Sequence, residues 1–293
     1  MNKEDFIKAG RITARVREES KKWVVKGARY VDIADKIEER LKSLGAKPAF
    51  PVNISANNHA AHDTAGPGDE RELESGDLVK IDLGASVNGW LGDTAYTKEI
   101  ETDKHGALIK TSEDALKKAI ELVKKGATLG EIGKAIGGVI SKAGYNPIRN
   151  LGGHPLGEYQ LHGDFVIPNY DNNSTQELAP GGIAIEPFAT NGEGFVHNAP
   201  ETLIYSLKKP RPVRNTIARK LLKHIVKNYN KLPFAERWIA REFKHYEYGL
   251  RVLLKEKIIH GYNILREKKG RLVSQSEHSL LLNNEVTVTT LSA

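Results

Sequence analysis

The chain has 293 residues, 39% apolar and 28% charged, with a formal net charge of +7 and no cysteine. That balance suits a globular protein with a sizeable core, and the lack of cysteine excludes disulfides, thiolate metal ligands and a cysteine nucleophile. The N-terminus, Met1-Asn-Lys-Glu-Asp-Phe6, is charged, and no apolar run reaches the length of a membrane span; a cytoplasmic protein without a signal peptide or membrane partner is expected.

In chain order, the first expected element is a helix over about residues 4–22. A turn at Val24–Ala28 leads to a second helix, in which Ile33, Ile37 and Leu41 step by four along one buried face. Gly45 suits its C-cap, and Pro48 forbids continuation. Leu78–Val87 and Trp90–Thr97 read as strands flanking Asn88-Gly89, the strongest short hairpin signal. A helix over about 107–124 and another ending at Gly144 then repeat the first pair at an offset of 99 residues. Val24-Val25-Lys26-Gly27-Ala28 recurs as Val123-Lys124-Lys125-Gly126-Ala127, and Ile33, Ile37, Leu41, Gly45 and Pro48 fall on Ile132, Ile136, Ile140, Gly144 and Pro147. Gly182–Thr190 and Thr202–Tyr205 are strand-like. Helices are expected near Val213–Tyr229, Ala235–Phe243 and Tyr246–Lys257, followed by a Gly/Lys-rich turn at Glu267–Gly270. Val273–Leu282 and Val286–Thr290, joined at Asn283-Asn284, close the chain as strands.

Helix pairs followed by antiparallel strands, twice over, describe an α+β fold with pseudo-twofold symmetry and a site between the halves on a curved sheet. The body is expected over 1–207 and 271–293, its halves being about 1–102 and 103–207 plus 271–293. Residues 208–270 form a helical insert whose three helices and hairpin resemble a winged-helix outline. From Lys208 to Arg271 there are 19 basic residues against 5 glutamates and no aspartate, a net +14; the remainder holds 25 basic and 32 acidic residues, a net −7. Such an insert fits either a nucleic-acid surface or a solvated lid over a substrate pocket. Gly192-Glu-Gly194 lacks the lysine and spacing of a phosphate loop.

The hairpin places two acids together. With Asn88-Gly89 as a two-residue loop, Gly84 faces Asp93 and Asp82 faces Ala95, so Asp82 and Asp93 are diagonal neighbours roughly 7 Å apart on one face. They repel unless a cation or proton intervenes; the pair fits a cation site or two solvated hairpin acids equally. His154 follows Leu151-Gly152-Gly153, whose glycines allow close backbone approach. Glu186 interrupts the apolar Ile183-Ala184-Ile185, where an unpaired acid is costly, and Pro187 holds it extended. Glu277 interrupts a further strand within Gln275-Ser276-Glu277-His278.

In type and order, Asp82, Asp93, His154, Glu186 and Glu277 resemble the five metal ligands of the pita-bread metallohydrolases, which include methionine aminopeptidases and proline-specific peptidases. The resemblance spans essentially the whole chain and implies that family's duplicated fold. Lys47-Pro-Ala-Phe-Pro-Val-Asn53, Ala60-Ala-His62, Gln275-Ser-Glu277-His278 and the insert resemble the type 2 methionine aminopeptidases in their short archaeal form. Ser276 departs from that branch, where an aromatic residue is common.

The resemblance implies hydrolytic removal of the initiator methionine from nascent proteins when the second residue is small. Two divalent ions (Co, Mn, Fe or Zn) are implied, with Asp93 and Glu277 bridging, Asp82 on one ion, and His154 with Glu186 on the other. Four carboxylates balance two divalent cations in charge. Glu186 is implied as proton shuttle, His62 as a contact to the scissile amide and His162 as a pocket histidine, neither histidine being a metal ligand. The implied methionine slot comprises Phe50, Leu161, Phe188, Ile204, Phe234 and Tyr262. A monomer touching ribosomes through the insert is expected. Alternative readings are a proline-specific peptidase of the same fold, and a metal-free relative that binds RNA or ribosomes.

Overall fold

The structure is a computed structural model that describes residues 2–123 and 127–291. The first half runs α1 (Lys3–Ser20), α2 (Tyr30–Ser43), β1 (Lys47–Pro48), β2 (Asn53–Ala56), β3 (His59–Ala61), β4 (Leu78–Val87) and β5 (Trp90–Glu99). The second half begins with α3 (Gly106–Leu122), α4 (Leu129–Lys142), β6 (Asn146–Pro147), β7 (Gly152–Leu156), β8 (Ile167–Pro168), β9 (Gly181–Ile185), β10 (Phe188–Thr190) and β11 (His197–Leu207). There follow α5 (Thr216–Asn228), β12 (Phe234–Ala235), α6 (Glu236–Ala240), α7 (Tyr246–Lys255) and β13 (Ile259–Arg266), and then β14 (Val273–Gln275), β15 (His278–Leu282) and β16 (Val286–Val288).

The repeat survives in the backbone. α2 and α4 are 14 residues each, and Gly45 and Gly144 take φ +81° and +83°. The same pair of hydrogen bonds closes both helices: Gly45 and Ala46 donate to Lys42 and Leu41 carbonyls, Gly144 and Tyr145 to those of Ser141 and Ile140. This double closure needs a left-handed residue, which glycine supplies without strain. Lys124, Lys125 and Gly126, which the sequence repeat also includes, lie outside the described residues. Each helix pair covers its own core, one around Ile33, Ile37 and Leu41 and the other around Ile132, Ile136 and Ile140.

The β4–β5 hairpin has the expected register, Val87 opposite Trp90 and Gly84 opposite Asp93, with Asn88 and Gly89 both at positive φ. Two strands read as continuous are broken. Glu186 and Pro187 separate β9 from β10, and Ser276 and Glu277 separate β14 from β15. On one side of the breaks β9 pairs β15; on the other, β10 pairs β14. The two chains thus change sheets together, because Pro187 has no N–H to continue a ladder. Each break turns a glutamate inward.

The insert has a core of its own, built on Leu221, Ile225, Phe234, Ile239 and Leu253. The middle helix is shorter than its periodicity indicates, five residues of the expected nine. β13, which hydrophobic alternation did not reveal, pairs with β11 on one side and with β3 of the first half on the other. Side-chain pairing also ties the insert down: Arg237 donates to the buried Glu38 on α2 at 2.8 Å, Trp238 Nε1 donates to Glu38 at 2.8 Å, and at the surface Arg241 binds Asp35 at 2.6 Å. Among the described residues no helix is long and apolar enough to cross a membrane.

Candidate active site

Asp82, Asp93, His154, Glu186 and Glu277 line one cavity of about 290 Å³. Asp82 and Asp93 come from the inner face of the hairpin, His154 from β7, and the two glutamates from the paired strand breaks. The outer face of the hairpin is sealed: Ile81, Leu83 and Leu91 are fully buried. Gly84 leaves room above the sheet, and the Phe50 ring fills it; a Cβ there would lie 2.5 Å from Phe50 Cε1. Gly153 serves strand packing, since a Cβ would sit 2.2 Å from the Ala184 carbonyl of β9. This close approach is what brings the neighbouring imidazole over the acids.

His154 Nε2 lies 3.8 Å from Asp93 Oδ2 and 3.7 Å from Glu186 Oε1. Single ligand atoms of Asp93, His154 and Glu277 all lie within 4.8 Å of one another. Gln275 donates from Nε2 to Asp82 Oδ2 at 3.4 Å and to Glu186 Oε2 at 3.3 Å, spanning the cluster. Even so, Asp82 Oδ1, Asp93 Oδ1 and Glu277 Oε2 are buried without any hydrogen-bond partner among the described residues. Burial pushes the Asp82 carboxyl up to about 7, and burial with mutual repulsion raises Asp93, Glu186 and Glu277 well above the usual carboxylate range. A cluster of this kind is stable only when protonated or when cations replace the protons. Three carboxylates with free oxygens, a fourth beside them and one imidazole nitrogen form a donor set that fits divalent transition metals. Burial holds His154 down to about 4, neutral and able to coordinate.

His62 and His162 line the same cavity. His62 has a left-handed backbone, φ +63°, held by its N–H donating to Asn53 Oδ1 at 2.7 Å. Its Nδ1 faces the Asn263 carbonyl at 3.2 Å; a carbonyl only accepts, so Nδ1 carries the proton and Nε2 is left as an acceptor. Burial holds His62 down to about 4 and His162 to about 3, so both are neutral near pH 7. The His162 ring stands edge-on to His154 at 4.5 Å, and Tyr262 stands edge-on to His62 at 5.4 Å. The residue after His62, Asp63, is fully buried, held by His59 at 2.6 Å and by both of its oxygens on Arg71 at 3.0 Å. This locks the loop that carries the histidine.

The structure brings Phe50, Leu161, Phe188, Ile204 and Tyr262 onto the cavity wall. Phe234 is placed elsewhere. Its ring is fully buried in the insert, stacked 5.1 Å from Tyr229 and 6.0 Å from Tyr205. Its neighbour Pro233 lines the cavity instead, because β12 pairing sets the Phe234 side chain into the insert core. Sequence reasoning assigned no role to Asn53, Gln275 or Pro233. Asn53 and Gln275 stood within segments quoted for their resemblance, two residues or fewer from strand edges; Pro233 had no signal beyond its position before Phe234.

Comparison with known proteins matches residues 4–207 to metallopeptidase family M24. The chain is 42% identical to a methionine aminopeptidase of Methanocaldococcus jannaschii over 98% of each chain. It is likewise 42% identical to one of Pyrococcus abyssi, over 99% of each. Among solved structures, methionine aminopeptidase of Thermotoga maritima superposes with a TM-score of 0.72 at 24% identity, covering 99% of this chain and 96% of that one. A thermophilic Arx1 superposes at 0.84 with 14% identity, covering 98% and 90%.

Proposed function

The chain belongs to metallopeptidase family M24, and from that premise we propose how it acts. It is a metallo-aminopeptidase that hydrolytically removes the N-terminal methionine of polypeptides. We assign it to the type 2 branch, acting in the cytoplasm as a monomer on nascent chains whose second residue is small. The observation that carries the mechanism is the convergence of five ligand-type side chains, three with buried orphan oxygens, beside an apolar slot.

Asp82, Asp93, His154, Glu186 and Glu277 would hold two divalent ions, Co, Mn, Fe or Zn. When bound, such a pair supplies Lewis-acid polarisation of the scissile carbonyl and a more acidic water. Glu186 takes the proton from the attacking water and delivers it to the leaving amine. His62 presents unprotonated Nε2, an acceptor suited to the N–H of the scissile amide, and Asn53 and Asn263 hold it there. His162 closes the pocket beside His154. Phe50, Leu161, Phe188, Ile204 and Tyr262 wall an apolar slot long enough for a thioether, which aromatic rings contact favourably. Residues 208–270 act as an insert module that walls this slot through Pro233 and Tyr262 and offers a basic face to ribosomal RNA.

The test is product analysis on a Met-Ala-Ser peptide, a Met-Lys peptide and an Xaa-Pro peptide, each with and without chelator. Release of methionine from the first alone, abolished by chelation and restored by Mn or Co, is expected. Asp93→Ala should lose activity and bound metal together. Cleavage of the Xaa-Pro peptide in preference, or normal activity in Asp93→Ala, contradicts the assignment.

A further inference from the structure

A second cleft, about 670 Å³, lies between the insert and the body and meets the catalytic cavity only at Pro233. Lys8 of α1, Lys42 at the end of α2 and Lys47 of β1 line one side. All three are exposed and, among the described residues, their side chains form no hydrogen bond or ion pair. Arg241 stands on the insert side, its guanidinium bound to Asp35. The one acid lining the cleft, Glu242, sits 3.3 Å from His224. Three lysines from separate elements therefore line one cleft with no acid in direct ion-pair contact among the described residues, Lys42 feeling the Glu38 charge one helical turn away. Tyr159, Tyr229 and Trp238 also line the cleft, together with Asn88 and Asn228.

This juxtaposition requires a ligand with concentrated negative charge and a flat apolar part. Lysine ammonium groups serve phosphate as mobile point charges, aromatic walls accept a nucleobase, and the volume is in the range of small-molecule sites. We propose that the cleft binds a free nucleotide, its phosphates among Lys8, Lys42 and Lys47 and its base toward Tyr159 and Trp238. The lysines belong to the part of the chain whose own count is net acidic, so the site arises only when the insert folds down onto the body.

ATP, AMP and inorganic phosphate are titrated into the full chain by calorimetry, with tryptophan fluorescence as a second readout because Trp238 lines the cleft. Saturable binding is expected for ATP, weaker for AMP and weakest for phosphate, and it should fall with added salt. Reversal at two of the lysines, Lys8→Glu with Lys47→Glu, should weaken ATP binding by at least about tenfold. Lys220→Glu with Lys223→Glu, on the exposed face of α5 outside the cleft, should leave it within about twofold. Circular dichroism of both variants separates lost binding from lost folding. The proposal is overturned by absence of saturable ATP binding, by equal loss in the two variants, or by phosphate binding as tightly as ATP. Capture of a single-stranded RNA oligonucleotide without ATP binding also overturns it.

Discussion

Replacing Glu38 by alanine isolates what seats the insert on the body. Arg237 is 2% exposed and Glu38 3% exposed, joined at 2.8 Å, and Glu38 also accepts the Trp238 indole N–H. Breaking a buried pair by removing one partner leaves an uncompensated charge and costs about 3–5 kcal/mol. Among the described residues Arg237 Nε has no hydrogen-bond partner, and the other acid beside the guanidinium, Asp35 at 3.7 Å, is already engaged by Arg241. For a chain of this size each kcal/mol lowers Tm by about 2–4 °C, which puts the loss near 10 °C. α6 begins three residues after Pro233, so a loosened anchor should also widen the slot wall: KM for a Met-Ala-Ser peptide should rise more than kcat falls. Scanning calorimetry and steady-state kinetics measure the two effects. Glu38→Leu with Arg237→Met, which removes both charges at similar volume, should restore most of the Tm. A Tm within about 2 °C of the parent in Glu38→Ala, or a double replacement worse than the single one, refutes the reasoning.

Local signals survived into the structure where one short stretch of chain decides the outcome. Asn88-Gly89 set the hairpin and therefore put Asp82 and Asp93 on one face. Gly45 and Gly144 ended their helices in the same way because the same backbone closure was available to both. What did not show locally depended on distant partners. β13 is a strand because β11 and β3 flank it, with register shifts along both ladders that no local pattern announces. Glu186 and Glu277 read as acids interrupting apolar strands, yet the paired change of sheet that aims them inward needs both strands in place. Phe234 and Pro233 exchanged places at the cavity for a similar reason: a two-residue strand, β12, rotates one side chain in and its neighbour out. The charge count by segment was the least transferable reading. Part of the insert's positive charge, on Arg237 and Arg241, is bound to Asp35 and Glu38, while exposed lysines of the body line the cleft.

Three further outcomes test separate links. His62→Ala should lower kcat at least about a hundredfold, in the range of a lost transition-state contact, with bound metal unchanged; loss of metal would show that the histidine belongs to the ligand set. Arg40→Ala probes a staple between α1 and α2. Arg40, with Arg15, holds Glu19 down to about 2 from its usual 4.5. A depressed carboxylate stabilises above its unfolded value and loses that contribution as pH falls through the folded one, so the Tm gap between parent and variant should be constant at pH 5–7 and close between about 4.5 and 2; a gap that persists at pH 2 argues for packing instead. The last outcome concerns the insert's outer face. Lys220, Lys223 and Lys227 are exposed on α5 and, among the described residues, form no ion pair, unlike the arginines on the docked side. An RNA contact there should weaken steeply with salt, since each neutralised phosphate releases a counterion, roughly 0.7 per contact on single strands and 0.9 on duplex. Three reversals to glutamate should therefore remove about two to three units from the slope of log affinity against log salt, measured by ribosome co-sedimentation across a salt series. Turnover of a short free peptide should respond far less, because none of the three lines the catalytic cavity. An unchanged slope would leave α5 as the outer wall of a lid, with its charge serving solubility alone.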